Sequence, residues 1–75
     1  MARAYIHNHT VSYDDKSSRL RHAVYYLQYF LSKDDAEVFF KKAKEGSSAR
    51  FEDDNFVRLK LKRGDGEYIL TLRKE

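Results

Sequence analysis

His7, His9 and His22 are the only side chains in this chain that combine metal-ligand chemistry with an ordinary pKa near neutrality. His7-x-His9 would set two imidazoles on one side of a strand. With His22 they would make up the three protein ligands that a catalytic zinc needs. Nothing in the sequence places His22 beside that pair, and histidines two apart arise readily in a polar segment, so no metal ligand is assigned. The carboxylates come in short clusters, Asp14-Asp15, Asp34-Asp35 and Glu52-Asp53-Asp54. Such clusters can do acid–base work or hold a cation. Each one here falls where a helix starts or the chain turns, where acidic side chains cap N–H groups or close Asx turns.

The remaining inventory points away from catalysis. There is no cysteine, hence no disulfide, thiolate zinc site or thiol nucleophile. Gly46, Gly64 and Gly66 are the only glycines and form no phosphate-binding loop, and no serine sits at a nucleophile elbow. The expectation is a protein that is not an enzyme, with no catalytic residue, cofactor or small-molecule substrate.

Two features suit binding. Arg58, Lys60 and Lys62 alternate with Val57, Leu59 and Leu61, and Arg73 belongs to the same outward set. Such a row can neutralise phosphates and makes nucleic acid a candidate partner, although Ile69 and Glu67 interrupt it and it carries no base-stacking aromatics. A plain solvated sheet face, guarded against edge aggregation by its charge, is the commoner outcome. Arg63-Gly64-Asp65 spells an adhesion tripeptide but also has the residues that a tight turn requires, and the turn is preferred.

The second feature is helical. In residues 20–31, Leu20, Ala23, Val24, Leu27, Phe30 and Leu31 cluster on one side at 100° per residue. His22, Tyr25 and Tyr29 fall nearly opposite, with Tyr26 on the flank. Tyrosine joins a large apolar ring to a polar tip and is favoured at interfaces. The second face must be covered by another helix, by the N-terminal segment with Tyr5 and Tyr13, by a second copy, or by a protein partner. A homodimer is the commonest of the external solutions.

The elements that position these groups follow from periodicity. Residues 3–13 are β-branched and aromatic and read most simply as one strand, with a hairpin turning at His7-Asn8-His9 as the alternative. Asp14 and Asp15 offer a helix start, and the helix runs to about Leu31. Ser32-Lys33-Asp34-Asp35 is a fresh start signal, with Ser32 as N-cap. Ala36, Phe39, Phe40 and Ala43 follow at helical spacing, and Gly46 is the expected residue just past the helix end.

Beyond Gly46 the chain reads as a three-stranded meander. A turn at Gly64-Asp65 pairs Leu61 with Tyr68, Leu59 with Leu70 and Val57 with Leu72, leaving Lys62 opposite Glu67. A loop at Asp53-Asp54-Asn55 with Asn55 left-handed pairs Phe51 with Val57 and Ala49 with Leu59.

The expected fold is therefore a single two-layer α+β domain over residues 1–75. Its order is β-α-α-β-β-β, with a C-terminal antiparallel meander packed on two helices and the first strand free to join a sheet edge. A ribbon-helix-helix arrangement of residues 3–45 is a competing architecture and would bind DNA, but it leaves the meander without a purpose.

With 75 residues, a core burying about 60% of the unfolded surface is all that is available. The net charge of +3 is concentrated at the two ends of the chain around a slightly acidic middle, which permits an anionic partner. Apolar runs are only a few residues long, so no membrane span is expected, and a cytoplasmic protein is the default. The expected function is an accessory or regulatory protein that binds another protein, or itself, through His22, Tyr25, Tyr26 and Tyr29. The alternative is a nucleic-acid binder using Arg58, Lys60, Lys62 and Arg73.

Overall fold

The computed structural model describes residues 2–73. Strands β1 (Ala2–Ile6) and β2 (His9–Tyr13) precede α1 (Ser18–Tyr25), which runs on into a π-helical turn over Tyr26–Phe30. Helix α2 (Lys33–Gly46) follows, then β3 (Ser48–Glu52), β4 (Arg58–Arg63) and β5 (Tyr68–Leu72). The fold is mixed α+β, but its order is β-β-α-α-β-β-β. The N-terminal segment is a hairpin because His7 and Asn8 both take positive φ, 47° and 72°, and reverse the chain in two residues. Ile6 then pairs with His9 and Ala2 with Tyr13.

All five strands share one sheet, in the order β1-β2-β5-β4-β3. The hairpin joins the meander by parallel pairing of β2 with β5, Val11 with Tyr68 and Ser12 with Ile69. That pairing removes the ribbon-helix-helix alternative, since the strand such a fold would lend to a partner is spent inside this chain. Alternation along each strand sends Ile6, Val11, Leu59, Leu61 and Leu70 to the helix-covered face, where they meet Leu20, Ala23, Leu27, Ala36, Phe40 and Ala43 in one core. Phe40 and Leu27 are the largest fully buried helical residues in it.

The meander has the expected faces but not the expected partners. β4 and β5 pair Leu59 with Leu72, Leu61 with Leu70, and Lys62 with Ile69 rather than with Glu67. The turn is at Asp65-Gly66, one residue later than expected, with Gly66 at φ 77° and the Gly64 N–H donating to the Glu67 carbonyl. β3 and β4 slip likewise, pairing Phe51 with Leu59 and Ala49 with Leu61. Moving a turn by one residue changes the register by two, so every side chain keeps its face. Leu72, left near the sheet end, is 38% exposed.

The helix ends also move. Asp14 closes an Asx turn on the Lys16 N–H, and Ser17 is the N-cap of α1, accepting from the Leu20 N–H. Ser32 caps α2 through the Asp35 N–H as expected. At the far end Gly46 is still helical and Ser47 takes the left-handed position, φ 71°. Arg63 finishes that helix, with its guanidinium on the Lys44 carbonyl at 3.1 Å and its N–H on the Ser47 carbonyl. The adhesion tripeptide thus begins with a structural arginine.

Candidate functional site

The three histidines go to three different places. His7 donates from Nε2 to the Leu27 carbonyl at 3.1 Å. The ring of His9 stacks on Phe40 at 4.2 Å and meets the edge of Tyr68, while its Nε2 contacts both Glu37 oxygens at 2.8 and 3.0 Å. His22 contacts Asp54 Oδ1 through Nε2 at 2.6 Å. Each histidine has its own partner, and a shared three-histidine site does not form.

The tyrosine face of α1 is uncovered within the described residues. Tyr25 is 50% exposed and Tyr29 67%, while His22 and Tyr26 are half-buried. Tyr5 lies on the other face of the sheet, and Tyr13 packs against the core, so neither acts as a lid.

Phe30, which helical spacing puts on the core stripe, is 57% exposed. The π turn is the cause. The Leu31 N–H reaches the Tyr26 carbonyl, five residues back, and the extra residue in the turn rolls Phe30 outward. Phe30 then meets the edge of Tyr25 at 5.6 Å and stacks over Tyr26 at 6.0 Å. Tyr25 and Tyr29 lie 4.8 Å apart, and His22 flanks Tyr25 at 6.3 Å. The result is a connected aromatic surface of five rings in place of a simple helical stripe. The π turn has no plain signature in the sequence, so Phe30 could not be found by periodicity.

The loop beside this surface contains the most exposed large apolar residue described. Phe56 is 82% exposed and sits at φ 60°, in the left-handed region expected for Asn55. A bulky residue there is a genuine backbone outlier. Asp53 holds the loop: its Oδ1 accepts from the Asn55 and Val57 N–H groups, and its carbonyl accepts from Phe56. Asp54 ties the loop to α1 through His22.

The open sheet face divides in two. On the β1–β2–β5 half, Glu67 binds Arg3 at 3.3 Å and accepts from the Ser12 hydroxyl at 2.9 Å, so charge is compensated. On the other half, Arg58, Lys60, Lys62 and Arg73 are brought together as expected around a shallow cleft of about 360 Å³. Arg50 of β3 joins them, a residue that alternation through Phe51 could have found. Arg73 Nε is buried without a hydrogen-bond partner among the described residues.

Comparison of the chain with family models, with curated proteins and with solved structures finds no significant match in any of the three. No helix among the described residues is long and apolar enough to cross a membrane.

Proposed function

We propose that this is a non-enzymatic binding protein that docks on another protein, or on a second copy of itself, through the aromatic surface of His22, Tyr25, Tyr26, Tyr29 and Phe30. The observation that carries this reading is the exposure of Tyr25, Tyr29 and Phe30 in mutual ring contact. Rings already packed on one another lose little freedom on binding, and contiguous exposed apolar patches are characteristic of interaction sites. Light scattering on a size-exclusion column tests the self-association arm, and capture of a defined partner tests the other. Tyr25→Ala with Tyr29→Ala should abolish association while leaving the thermal melt in place. A double variant that unfolds the monomer would show the tyrosines to be core, and the reading would fail.

A second reading has its own support. Five basic side chains around one cleft, from β3, β4 and the residue that follows β5, with an Arg73 N–H that has no partner among the described residues, suit a phosphate-bearing polymer such as nucleic acid.

A further inference from the structure

The turn between β3 and β4 brings metal-binding side chains from two distant stretches of the chain to one point. His22 of α1, Asp53 and Asp54 each offer a donor atom, and those atoms all lie within 4.8 Å of one another. Acidic residues at a turn are ordinary, and their turn hydrogen bonds explain nothing beyond the turn. The Asp53 carboxylate shows something more. The residue is only 5% exposed, its Oδ1 is occupied by two backbone N–H groups, and its Oδ2 is buried with no hydrogen-bond partner among the described residues. A buried carboxylate oxygen without a protein donor is strongly disfavoured unless a water or a cation completes it, and a cation also accounts for the His22 and Asp54 donors gathered beside it.

We propose that His22, Asp53 and Asp54 form a binding site for a divalent transition-metal ion of the zinc class. One imidazole and two carboxylates make a nitrogen–oxygen ligand set that suits zinc or its neighbours in the first row better than magnesium or calcium, which prefer all-oxygen cages. Ligand bonds of about 2.0–2.2 Å in tetrahedral geometry put donor atoms roughly 3.3 Å apart, so separations within 4.8 Å close by at most about 1.5 Å on binding. The 2.6 Å contact between His22 Nε2 and Asp54 Oδ1 widens by less than about 1 Å as the proton between them gives way to the metal. The His22 and Asp54 side chains are each about one-third exposed, which leaves a way in for the ion and a fourth position for water. The Asp53 carboxylate stays in place, because its Oδ1 remains bound to the loop backbone. The bound ion would join the β3–β4 turn to the helix that carries the aromatic surface.

The test is titration of Zn²⁺ into the full chain without a histidine tag, by calorimetry and by amide and imidazole NMR. The expected result is one site with a dissociation constant tighter than about 50 µM. Shifts should centre on His22 and residues 53–57. Asp53→Asn, which keeps an acceptor for both loop N–H groups, and Asp54→Asn should each weaken binding by about tenfold or more, whereas His9→Gln should leave it unchanged. Binding that is weaker or does not saturate overturns the proposal. So does a shift map centred on His7 or His9, or affinity that neither aspartate substitution alters. The wild-type shift map decides the matter even if a variant fails to fold.

Discussion

The His7 imidazole and the Leu27 carbonyl, 3.1 Å apart, join the left-handed β1–β2 turn to the π-helical turn that follows α1. The Leu31 N–H, which would serve Leu27 in an α-helix, is taken by Tyr26 in the π turn. The left-handed β1–β2 turn supplies the missing donor from His7, so the hairpin holds the turn that presents Phe30.

Removing that donor should therefore be felt at a distance. His7→Ala is expected to cost about 1 kcal/mol, the worth of one partly buried hydrogen bond. Urea denaturation measures the loss, and ring-proton shifts of Tyr25 and Phe30 should move with it. Unchanged shifts would mean that the π turn is held by packing alone.

The Phe56 backbone should be a source of strain that substitution releases. Phe56→Gly is expected to raise stability by roughly 1 kcal/mol, because glycine takes positive φ without penalty and the exposed ring contributes little burial. A lower melting temperature for the variant would show that the ring packs usefully in solution.

The end of α2 has glycine and serine in the less favourable order. Exchanging them, Gly46→Ala with Ser47→Gly, puts a helix former in the last turn and a glycine at the left-handed position, which together should add about 1–2 kcal/mol. A Cβ at Gly46 would meet nothing within 4 Å. Thermal unfolding of the double variant is the measurement, and a lower midpoint would contradict the helix end seen here.

If the basic half of the sheet engages a polyanion, Lys60→Glu with Lys62→Glu should abolish binding to a fluorescent oligonucleotide. The wild-type affinity should also fall steeply with salt. The expected slope of log affinity against log salt is roughly −0.7 to −0.9 per phosphate contacted. A flat salt dependence removes this reading.

Much of the fold is legible in the residues because it depends on local pattern. Alternation in 57–72 assigns the two sheet faces, and Ser32 with Asp35 marks the start of α2. Register is less legible, since Gly64-Asp65 and Asp65-Gly66 are both acceptable turn pairs and only tertiary packing chooses between them. The β1–β2 hairpin is harder to read than a single strand, because His7-Asn8 lacks the glycine that usually announces such a turn. The exposed tyrosines follow from helical spacing. Phe30 and the pairing of His22 with Asp54 do not, because one depends on a change of helical pitch and the other on two segments 32 residues apart meeting in space.

The parallel seam between β2 and β5 has a consequence for how the molecule is made. The β1–β2 hairpin has no neighbouring strand to pair with until Tyr68 and Ile69 have been synthesised. Contacts so distant along the chain form slowly. During that wait the inward side chains of β1 and β2, Ile6 and Val11 among them, remain open to water and to other nascent chains.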